Sequence, residues 1–223
     1  MPCFINPSRQ YYISTSYKVL YTLLYHQPSL HMVAMSRVNL SIFLQRSISF
    51  WRFPHFLLVR NPYQRAVSFY KDKFRHAPSV KLYKYDDLQV CQRLFFPYLQ
   101  IGSQDSPIII REKLLSLSFA QFITLLPNVY QQDVHLRPQV MTRQIYFRGK
   151  PAFPLKIDRI LKVESTDTLH IMYDQLGLDL SRKYNSTSDV PFTDSWIPRL
   201  RTVVNELYQA DFEEFGYEMH TKE

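Results

Sequence analysis

The chain has 223 residues, 46% hydrophobic, 15% aromatic and 21% charged, which suits one sizeable core and excludes a largely disordered protein. Two cysteines, Cys3 and Cys91, are too few for a disulfide framework and stand in no CxxC or Cys/His metal spacing; no apolar run nears the roughly 20 residues of a bilayer span. The net charge of +8 sits in the N-terminal third: residues 1–71 hold no acid, whereas the remainder balances 19 Lys/Arg against 19 Asp/Glu.

A positive field of this kind attracts an anion, whether nucleotide, nucleic acid, acidic glycan or lipid surface. An acid-free start bearing Arg and Ser also fits a transit peptide. Against that, the segment has its own strand and helix pattern and runs directly into the next unit.

Cys3–Asn6 and Tyr11–Ile13 read as short strands around a Pro-Ser turn. Ser14-Thr15-Ser16 then precedes an apolar-periodic run, Tyr17–Tyr25, which reads as a helix started by hydroxyl caps and ended by Pro28. Val38–Phe43 fits another strand, and Trp51–Pro54 a loop. Phe56–Val59 is a short apolar run of the interior-strand kind, stopping at Arg60. Asn61 and Pro62 suit a cap and a first helical position. Tyr63, Ala66, Val67, Tyr70 and Phe74 then fall on one helical face. Further helices are expected over Asp87–Tyr98, Ser116–Leu126, Ser165–Leu176 (closed by Gly177) and, as a pair or one bent helix, Asp194–Phe215. Ile157–Val163 alternates like a strand, and 76–86, 102–107 and 183–191 read as loops. Strand–helix alternation predicts an α/β fold: one domain over 1–223, with a mainly parallel central sheet flanked by helices.

The four glycines, Gly102, Gly149, Gly177 and Gly216, all lie outside the two strand–turn–helix units. A Walker A loop and a GxGxxG fingerprint are therefore excluded. A phosphate cradle in this chain has to use hydroxyls, helix N-terminal amides and cations. Ser14, Thr15, Ser16 and Lys18 meet that description, and so do Arg60 and Ser68. Each also has a plain structural reading as cap, solvated lysine or ordinary helical serine.

Val59-Arg60-Asn-Pro-Tyr-Gln-Arg65-Ala-Val-Ser68-Phe-Tyr-Lys-Asp-Lys-Phe74 resembles the 3′-phosphate motif of the carbohydrate sulfotransferases, in the branch with the HNK-1 and chondroitin enzymes. Thr15-Ser-Tyr-Lys18 is similar to that family's 5′-phosphosulfate loop, although the Pro-Lys start usual there reads Gln10-Tyr-Tyr-Ile-Ser14 in this chain. Asp133-Val-His135-Leu-Arg-Pro-Gln139 resembles its Asp/Asn-x-His-x-x-Pro-Gln segment, and 157–164 and 208–217 its later strand and C-terminal helix.

The resemblance implies a P-loop-like sulfotransferase fold and a donor, 3′-phosphoadenosine 5′-phosphosulfate (PAPS), used without metal. It implies that Arg60 and Ser68 hold the 3′-phosphate and that Ser14, Thr15, Ser16 and Lys18 hold the 5′ end. Lys18 and His135 are then catalytic, His135 as general base. Asp133, Asp158 and Glu164 rank below His135 for acid–base work.

The acceptor implied is a carbohydrate or glycolipid hydroxyl, not nucleic acid, with peripheral membrane contact left open. Animal members are Golgi type II proteins. The expected compartment is thus the Golgi lumen for a truncated eukaryotic form and the cytoplasm for a complete bacterial one. Sequons at Asn39 and Asn185 matter only in a secretory protein, and the loop Lys183–Ser188 is expected to close over the donor. The competing reading is a non-catalytic basic α/β module that binds nucleotide, nucleic acid or acidic polysaccharide.

Overall fold

Seven strands are seen in a computed structural model that describes residues 2–33, 52–147, 150–181 and 196–220. They are β1 (Cys3–Asn6), β2 (Tyr11–Thr15), β3 (His31–Val33), β4 (His55–Val59), β5 (Gln144–Phe147), β6 (Lys150–Pro154) and β7 (Arg159–Lys162). The expected strand at Val38–Phe43, Trp51, both sequons and the loop Lys183–Ser188 lie outside the described residues. By internal contacts the chain divides into two units, Met1–Asn61 with Gln139–Tyr184 and Pro62–Pro138 with Asn185–Glu223.

The first unit holds all seven strands. Five form a mixed sheet in the order β3-β1-β2-β4-β7, and β5 and β6 form a separate antiparallel hairpin. β4 is parallel to both β2 and β7, whereas β1 is antiparallel to β2 and β3. The expectation of a mainly parallel sheet is thus corrected: two of its four pairings are antiparallel. The reason lies in the connection. Four residues, 7–10, join β1 to β2, and a link that short closes only an antiparallel pair, because a parallel return needs a crossover of about a dozen residues or more. Asn6 Oδ1 accepts from the Arg9 N–H to shape that turn, and Gln10 takes a left-handed φ of 56°.

β4 sits between two parallel neighbours, and Leu57, Leu58 and Val59 are wholly buried. On one face Leu58 packs with Ile13, Leu161 and Met172, beneath the helix Tyr21–Tyr25 and the helical segment Thr166–Gln175. Gly177 follows that segment at φ +65°, the conformation expected of a glycine that ends a helix.

The second unit is helical among its described residues. Pro62–Tyr70 is the expected helix, and it continues with π-helical spacing over Lys71–His76. Tyr63, Ala66, Tyr70 and Phe74 are buried on its predicted face. Phe69, Tyr70, Phe74, Phe95, Phe119 and Phe122 pack ring against ring, with centroids 5.0–6.2 Å apart. The single helix expected over Asp87–Tyr98 is two short ones, Val90–Arg93 and Phe96–Leu99, because Pro97 has no N–H with which to continue the first. Pro107–Ser116 is a further helix, and Phe119–Val129 begins at a reciprocal cap between Ser118 and Gln121. Pro198–Leu207 and Gln209–Phe215 form the C-terminal pair, ended by Gly216 at φ 58°. No helix among the described residues is long and apolar enough to cross a membrane.

Candidate donor and base sites

Because β2, β4 and β7 are parallel, their carboxyl ends lie along one edge of the sheet, where open α/β sheets bind ligands. The helix expected from Tyr17 begins only at Tyr21, and residues 16–20 form a tight loop instead. The hydroxyls meant to cap that helix are used elsewhere. Ser14 and Thr15 are the last residues of β2, and both are fully buried. Ser14 Oγ lies 2.7 Å from His55 Nε2. Thr15 Oγ1 is within reach of the Ser16 and Val19 carbonyls, at 3.0 and 2.5 Å. Lys18 and Leu20 hold left-handed backbone, φ 69° and 54°, so the loop turns sharply without glycine.

Arg60 stands at the end of β4, and its main chain is gripped from both sides by one side chain. The Arg60 N–H donates to Gln139 Oε1 at 2.9 Å, and Gln139 Nε2 donates to the Arg60 carbonyl at 2.7 Å. Ser16 Oγ contacts the same Oε1 at 3.4 Å, and Arg60 Nη1 donates to the Lys18 carbonyl at 3.4 Å. Ser16, Lys18 and Arg60 are therefore brought together, with the wholly buried Gln139 between them. Gln139 is the residue that sequence reasoning passed over. Its signal in the sequence is the His135-x-x-Pro-Gln139 spacing, which it closes.

His55 is a second buried polar group, at the amino end of β4. Burial pushes its pKa down to about 4, against a smaller upward pull from Asp158, so the ring is neutral. Asp158 accepts the His55 N–H at 2.9 Å and pairs with Lys156 at 3.2 Å; Glu164 accepts the Asn61 N–H at 2.7 Å. Asp158 and Glu164 thus have partners of their own.

In the second unit Ser68 is half-buried on the helix Pro62–Tyr70, on the face it shares with Gln64. His135 follows the helix Phe119–Val129 in a turn that Asp133 organises. Asp133 Oδ1 accepts the His135 backbone N–H at 2.8 Å and lies 2.5 Å from the ring Nδ1. Asp133 thereby fixes the ring's orientation through Nδ1. Desolvation pushes the Asp133 pKa up. The hydrogen bonds from His135 and the charges of His135 and Arg137 outweigh that, so the carboxyl sits below its ordinary value and stays ionised.

The turn is fixed from below by Arg65, 4% exposed, which donates to the carbonyls of His135 and Arg137 and pairs with the buried Asp211 at 3.3 Å. The Tyr208 hydroxyl donates to the Leu136 carbonyl at 2.7 Å, and burial pushes that phenol up to about 12.

No curated protein and no solved structure matches the chain. A family comparison does. The sulfotransferase family matches residues 16–145, more than half of the chain, a span that begins inside the loop after β2 and includes Lys18, Arg60, Ser68 and His135. With a mixed sheet, a basic strand edge and a carboxylate-held histidine already in place, that match identifies the chain as a member of the sulfotransferase family.

Proposed function

We propose that this single-domain protein is a PAPS-dependent carbohydrate sulfotransferase that moves the sulfuryl group to a hydroxyl of a carbohydrate or glycolipid. The observation that carries the reading is the Gln139 clamp, which fixes Arg60 beside the loop of Ser16 and Lys18 at the carboxyl edge of a parallel strand pair. That is where a glycine-free loop can offer cations and amides to a doubly phosphorylated nucleotide. Arg60 and Ser68 are assigned to the 3′-phosphate, and the segment Ser14, Thr15, Ser16 and Lys18 to the 5′ end. Ser14 and Thr15 serve there by shaping the loop, the Thr15 hydroxyl bonding within it and the Ser14 hydroxyl tying the end of β2 to His55.

In the reaction the acceptor oxygen attacks sulfur in line. The bond from sulfur to the 5′-phosphate oxygen breaks, and adenosine 3′,5′-bisphosphate leaves. His135 Nε2 takes the acceptor's proton, with Asp133 stabilising the imidazolium that results. Lys18 offsets the charge growing on the departing phosphate oxygen. Little covalent work falls to the protein, and alignment and charge stabilisation supply the rate, as in phosphoryl transfer.

The test is transfer from labelled PAPS alongside retention on immobilised adenosine 3′,5′-bisphosphate. His135→Ala should lower turnover by about 10²–10⁴-fold, the worth of a general base, with retention intact. Lys18→Ala should lower both. Near wild-type turnover in both variants would sink the assignment. Retention lost with modest salt alone and not competed by free nucleotide would favour the non-catalytic basic module.

A further inference from the structure

Cys91 enters none of the chemistry above, yet it lies against the proposed base. Its Sγ, a carboxylate oxygen of Asp133 and a ring nitrogen of His135 all lie within 4.8 Å of one another. They come from separate segments, the short helix Val90–Arg93 and the turn that follows Phe119–Val129. No sequence spacing announces them. We propose that Cys91, Asp133 and His135 form a binding site for a divalent cation of the zinc class, and that filling it takes His135 out of proton transfer. The second half rests on the reading of His135 as the base; the first does not.

The ligand set fixes the class of ion. A thiolate, an imidazole and a carboxylate suit zinc or cobalt, whereas magnesium and calcium call for oxygen alone. Three protein ligands leave a fourth position to water, the pattern of accessible zinc sites. Access is from one side. Cys91 is wholly buried and the Asp133 side chain 9% exposed, but that of His135 is 23% exposed.

The fit needs little movement. Ligand atoms around tetrahedral zinc stand about 3.2–3.8 Å apart, given bonds of roughly 2.0–2.3 Å. The Asp133–His135 contact at 2.5 Å therefore opens by about 1 Å, and the thiol, within 4.8 Å of both, closes in by no more than about 1.5 Å. Binding sends the thiol proton to solvent, and the two anionic ligands neutralise the ion's charge. The turn already holds the Asp133 carboxylate against the imidazole.

The experiment titrates the full chain with cobalt(II) and follows thiolate-to-cobalt charge-transfer absorption, with zinc(II) as competitor. One cobalt per chain with that band is expected. Cys91→Ser should abolish the band and His135→Gln should weaken binding by more than about tenfold. Cys3→Ser should change neither, and circular dichroism checks that each variant folds. No band with the folded wild type, or a band that survives Cys91→Ser, overturns the site. In the transferase assay, stoichiometric zinc(II) should inhibit the wild type and spare Cys91→Ser; equal inhibition of both overturns the regulatory half. The optical readout needs no sulfuryl transfer, so a failed site and a failed transferase assignment remain distinguishable.

Discussion

Gln139→Leu tests whether one buried amide holds Arg60 and the loop after β2 together, as the proposed donor site requires. The substitution removes both hydrogen bonds to the Arg60 main chain, at 2.9 and 2.7 Å, and leaves side-chain volume nearly unchanged. Each such bond contributes a net 0.5–1.5 kcal/mol or so, which places the loss at about 1–3 kcal/mol. The 3.4 Å contact to Ser16 is too long to add much. Part of the loss should appear in function, because an unclamped Arg60 no longer keeps its position against the Lys18 loop. Nucleotide affinity should fall by about tenfold, equivalent to roughly 1.4 kcal/mol. Gln139→Glu separates the two effects. It keeps the acceptor for the Arg60 N–H, so it should unfold later than the leucine variant. It also places a carboxylate beside Arg60, so it should bind adenosine 3′,5′-bisphosphate more weakly still. Urea unfolding and calorimetric titration with that nucleotide read the two quantities. If Gln139→Leu keeps both the wild-type midpoint and the wild-type affinity, the clamp has been misjudged.

Two further outcomes bear on the framework of each unit. His55 has a folded pKa of about 4 against 6.5 unfolded, so on acidification the unfolded chain takes up its proton first. Its contribution is fully present above about pH 6.5 and is lost as pH falls toward 4, by at most about 3 kcal/mol. Urea midpoints across that range should show the slope, and His55→Gln, which cannot titrate, should flatten it. In the second unit, Asp211→Ala leaves Arg65 charged and buried, and should cost about 3–5 kcal/mol in thermal unfolding. The pair Arg65→Met with Asp211→Leu should recover most of that loss while still impairing transfer, because the carbonyls of His135 and Arg137 lose their shared donor.

What could be read from the sequence followed local signals. The apolar run ending at Arg60, the buried face of Tyr63, Ala66, Tyr70 and Phe74, and the Gly177 stop each follow from periodicity or backbone preference within a few residues. The failures are tertiary or concern local competition. A short strand-to-strand turn, which no strand's own composition announces, decided the antiparallel pairing of β1 with β2. Ser14-Thr15-Ser16 has the composition of a helix cap. Pairing of β2 with β4 drew Ser14 and Thr15 into the strand and gave their hydroxyls other partners. Cys91 carried no signal, because what matters about it is the company of two residues more than forty positions away.

The loop after β2 bends sharply at a strand end without glycine. Glycine normally supplies left-handed backbone at no steric cost; Lys18 and Leu20 adopt it here with side chains in place, at about 1 kcal/mol or so each. Something must hold them there. Thr15 does so by bonding to the Val19 carbonyl, Val19 is itself wholly buried, and Arg60 reaches the Lys18 carbonyl from the neighbouring strand. Hydroxyls and a guanidinium therefore over-determine a bend that glycine would merely permit. The same groups cannot all face a ligand at once. Under the proposed function, discrimination at the 5′ end then falls to the Lys18 ammonium and the loop's amides, while Ser14 and Thr15 act through the shape they impose.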